Sequence, residues 1–385
     1  MKLIYVANAR LPTEKAHGLQ IVSMCEALAR SGADLTLLSL GPGDSAQDIF
    51  TYYNVEPLFA VEYLAKTPQR VSTPAAFRLR QLRFSWQVWR RLWPDRRKAV
   101  VLTRDELTGW GLSCLGVRVF YDMHGFPEHK RWLWKLALRA LTGIVVTNHW
   151  KKRQCQERFR IPAEKMMVAP NGYDPRLFPV PGAGPAREDL RRALGFPAAK
   201  KVVLYTGNFY DWKGVHTLGK AAALLPETAV WFVGGSEEEA VKFRDRYRAL
   251  PNVRVLSYRP HAQIPQYLQA ADVLVLPNSA RAEDPRFAVY SQFDTSPMKL
   301  FEYMGSGTPI VATDLPSVRE IIDETTAEFF PPDDPDRLAA AIKEVLENET
   351  AAKLRAGRAR ERVAREFTWD RRSGRLLEFI RTRIQ

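Results

Sequence analysis

The sequence predicts an α/β protein of two doubly wound parallel-sheet lobes. Strand-length apolar runs alternate with longer helical patterns, one Pro/Gly stretch interrupts the alternation, and 385 residues suit two cores better than one. The first series opens with KLIYVAN, a helix near Leu19 to Arg30 and LTLLSL, and continues through AVVLT, VRVFYD, GIVVT and MMVAP. Such continuous apolar runs belong to strands covered on both faces. PVPGAGP, Pro179 to Pro185, can continue neither a helix nor a central strand and reads as a linker. A second series follows: VVLYTG, a helix from about Val215, VWFVGG, a helix from Glu237, VRVL, a helix from Ile264, DVLVLP, a helix beginning within DTSPMKLFE, and PIVAT. From about Pro335 onward the pattern is almost wholly helical, and a final helix is placed to cross back to the first lobe. The division is thus a lobe over 1–180, a linker over 181–199, a lobe over 200–368 and a returning helix over 369–385.

Composition narrows the function. No window approaches the roughly 20 unbroken apolar residues of a membrane span, and KLIYV is too short for a signal-peptide core, so the protein is expected in the cytosol. Cys25, Cys114 and Cys155 are far apart and lack CxxC or zinc spacing, which predicts packing thiols and no structural metal. The net charge of +14 favours an anionic partner, either nucleic acid, a membrane surface or a phosphorylated small molecule. Between Arg70 and Lys98 lie nine basic residues and one acid, Asp95.

In open α/β sheets, ligands sit at the carboxyl ends of strands, so functional residues should follow strands. In DTSPMKLFE, Ser296 reads as an N-cap and Pro297 as the first helical residue, leaving the N–H groups of Met298 and Lys299 directed out of the helix end. That end attracts anions, and Lys299 adds a charge; Asp294 and Glu302 flank it. An ordinary capped helix with a solvated Glu gives the same pattern. In YTGNFYDWKG, Gly207 permits a tight turn and Lys213 can reach a phosphate, although the spacing is not a Walker loop. His124, in YDMHG, follows a first-lobe strand. The DxD at Asp334 to Asp336 reads as a helix cap, and no metal is expected.

Together, ANARLPTEKAHGLQIVSMCEALARSGADLTLLSL, APNGYDPRLF, YTGNFYDWKG and DTSPMKLFEYMGSGTPIVATDLP resemble glycosyltransferase family 4, over almost the whole chain. The resemblance implies the GT-B fold, two Rossmann-like lobes facing across a cleft, with the nucleotide sugar on the second lobe, the acceptor on the first and retention of anomeric configuration. It implies that Glu302 holds the donor ribose, the N–H groups after Ser296 its diphosphate, Asp294 the hydroxyls of the transferred sugar, and His124 the sugar near the reacting carbon. Lys213 matches a diphosphate lysine, and Gly18 a first-loop glycine that approaches the phosphates. Three departures stand out: Asp294 is a methylene shorter than the usual Glu, the usual Gly pair of the first loop is reduced to His17-Gly18, and Asn208 replaces an arginine, which leaves Lys299 or Arg259 to supply that charge. The stretch from Asn278 to Phe293 is longer than the usual donor loop and reads as a sugar-pocket wall or lid.

In Phe77 to Trp93, Leu79, Leu82, Trp86, Trp89 and Trp93 share a helical stripe, with Arg80, Arg83, Arg90 and Arg91 largely opposite. The helix either packs on the first sheet through its tryptophans or lies at an anionic membrane surface; no nucleic-acid motif is present. Two function classes follow. One is a glycosyltransferase without a cofactor, acting on a glycan or lipid-linked acceptor in cell-envelope polysaccharide or glycolipid synthesis, at the inner face of the plasma membrane. The other is a basic two-lobed nucleotide-sugar or polyanion binding protein without transfer activity.

Overall fold

A computed structural model describes residues 1–41, 48–66, 73–127, 131–179 and 184–384. The chain divides into two compact units, Met1–Asn171 with Trp369–Gln385, and Gly172–Thr368.

The first unit is a seven-stranded sheet ordered β3-β2-β1-β4-β5-β6-β7. Its strands are β1 (Lys2–Arg10), β2 (Asp34–Gly41), β3 (Ala60–Lys66), β4 (Val100–Thr103), β5 (Arg118–Met123), β6 (Gly143–Val146) and β7 (Met166–Val168), all paired in parallel. β4 and β6 are buried at every position because helices cover both faces. One face carries the helices Pro74–Leu92, Glu106–Cys114, Arg131–Ala140 and His149–Phe159, which bury Phe84, Val88, Leu112, Leu138 and Phe159 in one core with Val101, Val119 and Ile144. Asp105 and Asn148 cap the second and fourth of these helices by accepting from Thr108 N and Lys151 N. On the opposite face, Ala16–Arg30 packs beside the last helix, Trp369–Ile384.

The second unit is a six-stranded parallel sheet ordered β10-β9-β8-β11-β12-β13. Its strands are β8 (Val202–Thr206), β9 (Ala229–Val233), β10 (Val253–Leu256), β11 (Val273–Leu276), β12 (Ile310–Thr313) and β13 (Glu328–Phe330). Alternate residues of each strand enter two cores, Val202, Leu204 and Leu274 on one side and Val203, Tyr205 and Val275 on the other. Each unit is therefore the doubly wound sheet that the alternating pattern predicts.

Four local readings are corrected. The expected linker over 181–199 contains a helix, Arg187–Leu194, closed by Gly195 in the left-handed region. Its Leu190 is buried in the second core and its Arg191 pairs with Asp272 at 2.9 Å. An amphipathic pattern after the Pro/Gly stretch thus outweighs it; residues 180–183 lie outside the described residues. Cys25 and Cys155 are buried, but Cys114 is exposed rather than packed. The helix following DTSP starts at Met298 with Pro297 in the cap position, one residue later than predicted, and Ser296 is buried before it. The helix Pro74–Leu92 packs on the sheet through Phe84, Ser85, Val88 and Leu92, not through its tryptophan stripe. Leu79, Leu82, Trp86 and Trp93 face outward, and only Trp89 reaches the core. Arg70 lies outside the described residues. No helix among the described residues is long and apolar enough to cross a membrane.

Candidate functional site

In the second unit the strand order reverses between β8 and β11, so the loops leaving these two strands should form the ligand crevice. The structure brings most of the predicted donor residues to this point. Gly207 leaves β8 with φ +128°, and a Cβ on Gly234, at the end of β9, would fall 2.4 Å from the Gly207 carbonyl oxygen. Only glycine fits both positions. The chain then forms a short turn, Asp211–Lys213, and closes with Gly214 at φ +66° against the Pro277 carbonyl beyond β11. The two strand-end loops therefore touch.

Two ammonium groups converge here. Lys299 Nζ lies 3.8 Å from the centroid of the Tyr205 ring, and a Cβ on Gly207 would come within 3.0 Å of it. It is buried with no hydrogen-bond partner among the described residues. Lys213 Nζ sits 3.8 Å from the centroid of the Trp212 ring. Burial pushes the Lys213 pKa down to about 7. Burial pushes Lys299 well below its ordinary value too, followed by repulsion from Lys213, with Glu302 opposing. An anion placed between two such groups would relieve both penalties. Lys299 thus stands at the glycine loop beside Asn208, where the resemblance lacks an arginine. Arg259 instead donates to the carbonyl of Tyr258.

The helix Met298–Ser306 is fixed to β8 by Tyr303, whose hydroxyl accepts from Thr206 N at 2.9 Å. Its first N–H groups, those of Met298 and Lys299, have no carbonyl one turn earlier to bond. Glu302, on the same helix, is 2.6 Å from His261 Nε2. Burial alone would lower the His261 pKa, but the charge and hydrogen bond of Glu302 raise it. Asp294 is buried at the end of a π-helical turn, Tyr290–Asp294, which continues the helix Pro285–Val289. π-Helical turns often mark functional sites. The long stretch before Asp294 leans on the lysine turn: Trp212 stacks on Phe287 and meets Tyr290 edge-on, and Glu283 N donates to Asp211 at 2.9 Å. Asn278 is fully buried, with neither amide atom hydrogen-bonded among the described residues.

In the first unit the reversal lies between β1 and β4. Arg104 leaves β4 and donates to Gln20 at 2.6 Å. His124, just past β5, has Nε2 3.1 Å from Asp122 Oδ2. Burial, then Arg104, pushes the His124 pKa down to about 3 against the pull of Asp122. His124 is therefore neutral near pH 7 and suited to hydrogen bonding rather than acid catalysis. Asp122, fully buried, receives two hydrogen bonds from Arg372 of the last helix, at 2.8 and 3.0 Å. Gly18 lies within the helix Ala16–Arg30, and a Cβ there would meet the Tyr53 hydroxyl at 2.2 Å. That hydroxyl binds the backbone of Thr13 and so fixes the preceding loop.

Arg83, Trp86 and Arg90 lie on the exposed side of the helix Pro74–Leu92, whereas Arg80, one turn before the buried Phe84, is half-buried with its Nε enclosed, and Arg91 is paired with Glu62 at 2.9 Å. Asp334 caps the helix Pro335–Glu347 by accepting from Arg337 N. No group of three His, Cys, Asp or Glu suited to a metal occurs among the described residues.

Arg104, His261 and Arg372 escape the sequence reading. Arg104 directly follows a strand, so the strand-end rule, applied to AVVLT, would have flagged it. His261 and Arg372 meet partners 41 and 250 positions away and leave no local signal. Replacing His261 by Ala should weaken nucleotide-diphosphate binding roughly tenfold, the scale of one hydrogen bond to a charged group. Combined with Glu302→Ala it should add little, because the two act as a unit. Fully additive losses in calorimetric titrations would show that they act separately.

Comparison with known proteins agrees with this fold. A family model described as Glycosyltransferase Family 4 matches residues 18–177, and one described as Glycosyl transferases group 1 matches residues 186–362. D-inositol 3-phosphate glycosyltransferase of Corynebacterium urealyticum is 25% identical over 67% of this chain and 61% of its own length. The matches to two further curated relatives span 56% and 52% of those proteins. The chain thus covers less than two thirds of the length of these curated relatives. Among solved structures, sucrose-phosphate synthase from Thermosynechococcus elongatus superposes with a TM-score of 0.80 at 19% identity, over 99% of both chains. Anabaena HepE in complex with UDP-glucose gives 0.74 at 20% identity, over 99% of this chain and 100% of that one.

Proposed function

We propose, from the premise that this chain belongs to glycosyltransferase family 4 and has the GT-B fold, that it moves a sugar from a nucleotide-diphosphate sugar to a glycan or lipid-linked acceptor. The observation that carries this reading is the convergence of Lys213 and Lys299 on the Gly207 loop at the switch point of the second unit. Departure of a nucleoside diphosphate builds negative charge, and two ammonium groups with the first N–H groups of the helix Met298–Ser306 oppose it without a metal. Glu302, engaged by His261, takes the ribose hydroxyls, and Asp294 those of the sugar. A hydrolase would instead place two carboxyls across the scissile bond, one of them protonated. The setting of Glu302, beside His261 and Lys299, suits binding instead. The neutral His124 offers the sugar a hydrogen bond, and transfer proceeds with retention.

The acceptor falls to the first unit, and the proposed place of work is the cytoplasmic face of a membrane. UDP-glucose, seen with the Anabaena protein, heads the panel of donors to try. In a thermal-shift series with UDP, GDP, ADP and dTDP sugars, one base should stabilise the protein by about 2.7 kcal/mol at a hundred times its Kd. Turnover of that donor should survive EDTA. No shift with any nucleotide would remove the donor site. A shift without sugar transfer to any glycan or lipid-linked acceptor would favour the binding-protein alternative, and complete loss in EDTA restored by Mg²⁺ would show a metal requirement.

A further inference from the structure

The helix Pro74–Leu92 presents an unusual outer surface. Leu82 is 54% exposed, Trp86 55% and Trp93, just past its end, 51%, with Leu79 beside them. Guanidinium groups lie over both tryptophan rings of this surface: Arg90 over Trp86 at 4.9 Å and Arg96 over Trp93 at 4.2 Å. No acid occurs within the helix. Among the described residues Arg83, Arg90 and Arg96 form no ion pair, whereas Arg91 is neutralised by Glu62. On the same side of the sheet, the helix Arg131–Ala140 buries Leu138 in the shared core but leaves Trp132 66% exposed, and Leu136 exposed with it.

We infer that the outer side of the helix Pro74–Leu92, with Trp132 and Leu136 on the same side of the sheet beyond the helix Glu106–Cys114, docks on an anionic phospholipid bilayer. Large exposed apolar side chains normally need a covering partner. A protein surface would cover the rings, but guanidinium–tryptophan pairs beside unpaired arginines fit a lipid interface more closely. Aromatic rings settle at the headgroup level, and the arginines above them meet phosphates. The sheet-facing side, Phe84, Val88 and Leu92, is already committed to the core, so the helix can dock without unfolding. This deepens the transferase reading by giving it a surface where a lipid-linked acceptor resides. Its test uses neither donor nor acceptor, so its failure leaves that reading standing.

The measurement is co-sedimentation with vesicles of phosphatidylglycerol and phosphatidylcholine, compared with vesicles of phosphatidylcholine alone. The parent protein should partition onto the anionic vesicles, with a blue shift of tryptophan fluorescence, and high salt should release it. The combined variant Arg83→Gln, Arg90→Gln, Arg96→Gln should bind on the order of a hundredfold more weakly, and Trp86→Gln with Trp93→Gln should abolish the blue shift. Arg91→Gln, already neutralised by Glu62, serves as the control and should bind like the parent. Unfolding temperatures equal to the parent's would show that the variants are folded. A parent that ignores anionic vesicles, that binds neutral ones equally, or that binds only nucleic acid overturns the proposal. Binding that survives in both multiple variants overturns it too, because the contact then lies elsewhere.

Discussion

Replacement of Lys213 by Ala should lower turnover by about 10²–10³-fold, the usual loss when one group stabilising a developing anion is removed. The loss should fall on kcat more than on KM, since the charge on the diphosphate rises as the bond to the sugar breaks. Proton linkage supplies a second signature. With a pKa near 7 in the free protein, Lys213 is charged below that pH and largely neutral at pH 8. A diphosphate raises the pKa again, so binding at pH 8 should draw protons from the buffer, while binding at pH 6 should draw fewer. Calorimetry in buffers of different ionisation enthalpy reads this uptake, which should shrink in Lys213→Ala. An unchanged kcat with unchanged uptake would place Lys213 outside the site.

The other large effect is on stability. Arg372→Met should destabilise the first unit by about 3–5 kcal/mol, because it leaves the buried Asp122 carboxylate with the neutral His124 but without its cationic partner. Burial alone would raise the Asp122 pKa, but Arg372 holds it far below the usual carboxylate range. A lowered carboxyl pKa contributes stability above its ordinary value near 3.9, and that contribution disappears as pH falls. The gap between parent and variant should therefore be widest near neutral pH and narrow on acidification, as followed by urea unfolding. A gap independent of pH would assign the loss to packing alone. Asp122→Asn, which removes the charge while keeping the shape, should restore part of the stability of Arg372→Met.

Much of this fold is legible in the sequence because central parallel strands are apolar throughout; AVVLT, GIVVT and VVLYTG could hardly be anything else. The edge strands β3 and β13 are not, since AVEYLAK mixes polar residues into a strand covered from one side and EFF is too short to signal. The basic helix shows where periodicity stops. Phe84, Val88 and Leu92 form a second apolar stripe at helical spacing, and only packing against Val101 and Val119 decides which stripe turns inward. In the site, Lys213, Lys299 and Glu302 can be named because strand ends and helix starts are local features. The partners that orient such groups, His261 and Arg372, come from distant segments and become visible only when the chain is folded.

The return of the last helix to the first unit also orders the synthesis of the molecule. Asp122 emerges early, but the guanidinium that neutralises it is translated 250 positions later, after the whole second unit. Until then the Phe120 side of the sheet also lacks Phe379, whose ring packs 5.9 Å from Phe120. The second unit, continuous from Gly172 to Thr368, can close while the first still waits, so the last unit made is the first that can be finished. A nascent chain stalled before Trp369 would expose an unfinished sheet to chaperones, and a nonsense codon in the final helix would damage the unit farthest from it in the message.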